Sequence, residues 1–124
     1  MRIMVVGTHG SGKSTLVHAL EEMGYSAFAF AQEHSASSRV WRRRHPDVLI
    51  ALYCSYETLV RRRGIRWPKR LWRRQLYALG DAWAHADIRV QTDMLTPAEL
   101  ITRVAKRLHQ LIGPPKNGKR TPST

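Results

Sequence analysis

Acidic side chains are scarce in this chain of 124 residues: nine Asp and Glu face 21 Lys and Arg, a formal net charge of +12. Such an excess favours polyanionic partners, whether nucleotides, nucleic acid or an anionic membrane surface, and does not choose among them. Cysteine is nearly absent. The single Cys54 excludes an intrachain disulfide framework and suits a reducing compartment, so a cytoplasmic location is expected. No apolar run approaches the roughly 18 residues of a membrane span, and no membrane partner is expected. The opening residues Met-Arg-Ile-Met-Val-Val-Gly are too short an apolar run for a signal peptide and read as a core strand. Internal repeats are missing. So is a metal-type histidine spacing: His9, His18, His34, His45, His85 and His109 are scattered, which makes surface or core roles their default. An Asn-Lys-x-Asp guanine-reading segment is also lacking, which disfavours a GTPase.

Against this background one motif stands out. Residues 7–14 read Gly-Thr-His-Gly-Ser-Gly-Lys-Ser, directly after Ile3-Met4-Val5-Val6. This is the phosphate-loop pattern G-x-x-x-x-G-K-[ST], placed between a strand and a helix as its chemistry requires. A chain this short meets the pattern by chance in about 4 cases per 1,000, so the match itself points to a nucleoside triphosphate with Mg²⁺. A triphosphate is best held by backbone N–H donors at the positive end of a helix. Gly7, Gly10 and Gly12 let the chain approach closely, and Thr8, His9 and Ser11 complete the cradle. Lys13 is expected at the β- and γ-phosphates, Ser14 on Mg²⁺ and Thr15 near the α-phosphate.

The rest of the chain alternates strands with helices. Strands are expected at 2–6, 25–31, 48–53 and 88–91. Helices are expected at 13–23, from a Ser55 cap to about 63, at 69–85, and from a Thr96-Pro97-Ala98-Glu99 start to about 112. Gly24 fits a helix C-cap. Trp72, Leu76, Leu79, Trp83 and Ala86 form one apolar stripe, and Leu100, Ile101, Val104, Leu108, Leu111 and Ile112 another. Residues 35–47 look irregular or weakly helical. The fold class is therefore α/β: a small, mostly parallel sheet of about four strands with helices on both faces, in three layers. One domain spans 1–112, and 113–124 form a basic tail expected to be disordered. Ligands of such sheets bind at the carboxyl ends of the strands, which would gather 7–14, Glu33, Cys54 and 91–93 along one edge.

Arginines crowd the break between two helices at Gly64 and Pro68: Arg61, Arg62, Arg63, Arg66, Arg70, Arg73 and Arg74, with Lys69. Phosphoryl transfer needs cations that close over the moving group, and the guanidinium fork grips phosphate. Arg62, Arg63 and Arg66 are the favoured candidates. Two other readings stay open. One is a solvated basic helix face. The other is a nucleic-acid surface, since Trp41, Trp67 and Trp72 lie among the arginines. Arg39 to Arg44 carry the same ambiguity.

The order of these segments resembles that of small phosphate-loop kinases, such as shikimate, adenylate, dephospho-coenzyme A and nicotinamide riboside kinases. The resemblance covers residues 1–112. Besides the loop it rests on Pro-Asp-Val-Leu-Ile-Ala-Leu-Tyr (46–53), Ser-Tyr-Glu-Thr-Leu-Val-Arg-Arg-Arg (55–63) and the Thr-Asp-Met-Leu-Thr-Pro-Ala-Glu turn (92–99). It implies a phosphate-loop NTPase fold and transfer of the ATP γ-phosphoryl group to a small acceptor. Lys13 would stabilise the transferring group and Ser14 would ligate Mg²⁺. Arg62, Arg63 or Arg66 would be lid arginines, and residues 92–97 would border the base.

Such kinases usually place carboxylates at strand ends to hold Mg²⁺ or take the acceptor's proton. Here the third strand ends in Tyr53-Cys54 and the fourth in Gln91, which leaves Glu33 and Asp93 as candidates. The alternatives are a nucleotide-binding protein without kinase activity, at most a weak ATPase, and a nucleic-acid-binding ATPase.

Overall fold

Four short, largely apolar runs build the sheet. In the computed structural model, which describes residues 1–64 and 66–115, these are β1 (Arg2–Gly7), β2 (Ser26–Ala29), β3 (Val48–Tyr53) and β4 (Ile88–Gln91). The strand order is β2-β1-β3-β4, and all three pairings are parallel. Val5 stands opposite Ala29 on one side and Ile50 on the other, and Ile50 stands opposite Ile88. Strands buried on both faces need apolar residues at every position, and β1 from Ile3 onward and β3 supply them.

The helices are α1 (Lys13–Glu22), α2 (Tyr56–Arg63), α3 (Lys69–His85) and α4 (Pro97–Ile112). Their starts follow the local chemistry. Ser55 Oγ accepts from Thr58 N at 3.2 Å, and Thr96 and Glu99 form a reciprocal capping box behind Pro97. Alternate residues of the strands then feed two cores. On one face Ile3, Val5, Ile50 and Leu52 meet Leu16 and Leu20 of α1 and Leu100, Val104 and Leu108 of α4. On the other, Met4, Val6, Leu49 and Ala51 meet Trp41 with Leu79 and Ala82 of α3. Each fully buried Leu or Val contributes about 1.5–3 kcal/mol of transfer free energy. Helices therefore cover both sides of the sheet, as the alternation predicts.

Three expectations shift. The second strand stops at Ala29, and residues Gln32–His34 form a tight 3₁₀ turn; the weakly helical stretch expected within 35–47 is a further 3₁₀ turn at Val40–Arg44. The deepest line of α3 is Gln75, Ala78, Leu79 and Ala82, while Trp72, Leu76 and Trp83 are only half-buried. Small residues allow α3 its close approach, and the indoles pack along its flank. Trp72 Nε1 donates to the Cys54 carbonyl at 3.2 Å, and Trp83 meets the Tyr53 ring edge-on. Leu111 is 46% exposed. Leu100, Val104, Leu108 and Ile112 follow one i, i+4 line, and Leu111 falls beside it. Of the expected tail, residues 116–124 lie outside the described residues.

β1 connects through α1 to β2 on one side, while β3 and β4 lie on the other. The loops leaving β1 and β3 thus diverge at the carboxyl edge, where open α/β sheets form their crevice.

Candidate functional site

The loop from β1 to α1 is folded by contacts that a larger first residue would forbid. A Cβ on Gly7 would lie 2.8 Å from the Leu52 carbonyl oxygen. Gly10 and Gly12 have φ of 75° and 103°, the left-handed region that glycine enters freely. Thr8 is fully buried and ties the loop to β3: its N–H donates to Leu52 O at 3.3 Å and its Oγ1 accepts from Cys54 N at 3.1 Å. Gln75 of α3 accepts from His9 N at 2.8 Å. Among the described residues nothing accepts from the N–H groups of Gly10, Gly12, Lys13 and Ser14. These are the donors of a tight turn running into the first turn of a ten-residue helix.

They open into a cleft of about 530 Å³ lined by residues 8–15, with Glu33, Arg62 and Arg63 and, across from the loop, Thr92, Leu95, Thr96, Pro97 and Leu100. Lys13 Nζ donates to Gly7 O at 2.8 Å and pairs with Glu33, whose side chain is buried. Burial is the main force on Lys13 and pushes its pKa below the ordinary lysine value, against the pull of Glu33. Ser14 and Thr15 stand exposed on the wall. Arg62 spans the mouth: Nη1 donates to Gly10 O at 2.9 Å and to Thr92 Oγ1 at 3.0 Å, and Nη2 donates to Thr92 O. Two buried polar oxygens, Ser11 Oγ and Glu33 Oε1, have no partner among the described residues. That leaves unmet hydrogen-bonding capacity at the cleft.

Most candidate residues therefore converge: the loop, Lys13, Ser14, Glu33, Arg62 and Arg63. Two do not. Arg66 lies apart, in a separate cavity with Tyr56, Glu57, Val60 and Lys69. Asp93 does not line the cleft; its Oδ1 accepts from Ser55 N at 2.8 Å and fixes the chain after β3 to the chain after β4. Cys54 is fully buried, and burial raises its thiol pKa, so it behaves as a small apolar group.

The rings among the arginines have partners inside the fold. Trp41 is buried, its backbone N–H held by Gln32 at 2.8 Å and its Nε1 by Asp81 at 2.9 Å. Trp67 stacks on His9, with centroids 4.6 Å apart. The histidines are less scattered than their spacing implies. His9 and His34 reach the same corner as Glu33, with ligand atoms all within 4.8 Å of one another. Burial, followed by the charges of Arg63 and Lys13, lowers the His9 pKa. Gln75 and Gln32 are the supporting residues that sequence reasoning passes over. Their only signal is a glutamine on or beside an otherwise apolar surface.

No protein-family model and no curated protein matches this chain.

Proposed function

We propose that the cleft binds a Mg²⁺–nucleoside triphosphate, with ATP the favoured nucleotide, and that the chain is an ATP-dependent kinase for a small acceptor. One observation carries the binding half of this reading. Gly10, Gly12, Lys13 and Ser14, whose N–H groups meet no acceptor among the described residues, line the same cleft as Arg62 and Arg63. Donors and cations so arranged suit a dense anion and little else. Ser14 offers the hydroxyl oxygen that a hard cation takes, and Mg²⁺ would supply charge neutralisation on the phosphate oxygens. A phosphate-loop NTPase fold belongs to the same proposal.

The transfer half rests on Arg62, Arg63 and Glu33. The arginines sit beside the loop at the end of α2, before Gly64, where they suit the charge that spreads over a transferring phosphoryl group. Glu33 is the carboxylate of the cleft, and removal of the acceptor's proton would fall to it.

A second reading, nucleotide binding without transfer, is favoured by one specific observation: Glu33 is engaged by Lys13 and Asp93 is spent on Ser55 N. A nucleic-acid surface loses support because Trp41 and Trp67 are engaged internally.

Melting of the chain with and without ATP–Mg²⁺ tests binding, because a ligand of the native state raises the melting temperature. A rise that Lys13→Ala removes is expected, and no rise at saturating ATP–Mg²⁺ refutes the proposal. Incubation with ATP and panels of nucleosides, nucleotides and metabolite alcohols then separates kinase from binder. Product formation is expected, and binding without any product selects the second reading.

A further inference from the structure

We infer that His9, Glu33 and His34 form a binding site for a divalent transition-metal ion of the Zn²⁺ class, separate from the Mg²⁺ expected at Ser14. The three residues come from two elements, the loop after β1 and the turn after β2, yet one ligand atom from each lies within 4.8 Å of the others. Two imidazoles and one carboxylate are a set that Zn²⁺ accepts, with a fourth position left for water or another ligand. A hard cation such as Mg²⁺ would favour oxygen donors instead.

The surroundings support a ligand role. Glu33 is held with its side chain 3% exposed, and its Oε1 has no partner among the described residues. A buried carboxylate oxygen left unpaired is costly, and a metal ion would satisfy it. Oε2 serves Lys13 and also stands 3.6 Å from His34 Nε2, so the ammonium competes for that oxygen while Oε1 is left to an ion. His9 is oriented before any ion arrives: Gln75 holds its backbone N–H and Trp67 covers its ring. His34 is the adjustable member, with its side chain 54% exposed. A tetrahedral ion with ligands about 2.0–2.2 Å away sets them about 3.5 Å from one another. His34 Nε2 already stands 3.6 Å from Glu33 Oε2, so the contraction from the present spacing falls on the distances to His9. His9 and Glu33 line the cleft and His34 does not, so the ion would sit at the cleft margin. The inference stands on these side chains and does not depend on the nucleotide reading.

Titration of the full chain with Co²⁺, followed by its visible absorption and by displacement with Zn²⁺, is the test. One saturable equivalent is expected, with the bands of low-coordinate nitrogen and oxygen ligation. His34→Ala, at an exposed position, should weaken binding at least about tenfold. His85→Ala, beside Asp81 at the C-terminal end of α3, should leave it unchanged. Lys13→Met removes the competing ammonium and should tighten it. Glu33→Gln should abolish it, and if that variant does not fold, His34→Ala decides alone. Wild-type affinity in His34→Ala, no saturable equivalent, or a sulfur-to-cobalt charge-transfer band placing the ion at Cys54 would each overturn the inference.

Discussion

Two segments that each hold three consecutive arginines have opposite fates. Residues 39–44 are held against the fold. Arg42 pairs with Asp81 through two contacts, 2.9 Å at Nε and 2.7 Å at Nη2. Arg44 lies over the Phe30 ring, and Trp41, under the Arg42 guanidinium, is buried. Residues 61–63 meet no carboxylate within ion-pair distance among the described residues. Arg62 grips carbonyl and hydroxyl oxygens of the cleft mouth, and Arg63 lines the cleft. An arginine's role thus depends on whether the fold brings a carboxylate to it. With nine acidic residues in the chain, most arginines are left for other anions.

The largest expected effect sharpens this contrast. Lys13→Ala should weaken ATP–Mg²⁺ binding by about 10–100-fold, the equivalent of a charged hydrogen bond of roughly 1.5–3 kcal/mol. Arg42→Ala should leave that affinity unchanged and lower only the melting temperature. Calorimetric titration of both variants checks the pair, and equal losses would erase the distinction between the segments.

The two buried glutamines extend the comparison. Gln75 supports the loop at His9 N, whereas Gln32 supports Trp41 N and also donates to Ser37 O and Ala78 O. Replacing either with Leu strands buried polar groups and should cost about 1–3 kcal/mol in urea unfolding. Gln75→Leu should also weaken ATP–Mg²⁺ binding, because it frees the loop at His9. Gln32→Leu should not.

Local chemistry explains which parts were legible in the sequence. The strands, the Thr96 capping box, the Ser55 cap and the loop depend on residues within a few positions of one another, and each stands close to where the pattern puts it. Asp93 shows the opposite. Its carboxylate could face a ligand or a backbone donor, and only the pairing of β3 with β4 brings it to Ser55 N, 38 positions away. His9 and His34 meet for the same reason: the parallel pairing of β1 with β2 brings their following loops to one edge. The stripe on α3 shifted because periodicity favours the largest apolar residues, while close packing here needs Ala78 and Ala82. Arg66 followed its arginine neighbours in composition and parted from them in space, since Gly64 ends α2 before it.

Arg62→Ala should have a smaller effect than either glutamine change, about 0.5–1.5 kcal/mol of stability, because its partners are neutral and partly solvated. The change should also loosen the tie between the loop at Gly10 and the β4 end at Thr92, raising hydrogen exchange at both. Arg42→Ala should instead raise exchange around Asp81 and Trp41. Identical exchange patterns in the two variants would show that the segments are not separate supports.

The smallest effects lie in pH, where the two regions titrate in different windows. The Arg42 hydrogen bonds hold the Asp81 carboxyl below its ordinary value of 3.8. The unfolded chain then binds the proton more readily, so this stabilisation is present above 3.8 and is lost as pH falls through the folded value. In the cleft, burial holds His9 below its ordinary 6.5. The native state again binds the proton less readily, and stability declines as pH falls from 6.5 through the lower folded value. Both regions therefore lose stability in acid, the cleft first. Urea unfolding across pH should show a shallow slope below 6.5 that His9→Gln removes, and a separate one near and below 3.8 that Asp81→Asn removes. If one substitution flattened both slopes, the cleft and the 39–44 segment would form a single electrostatic unit, and the contrast between the two arginine clusters would fail.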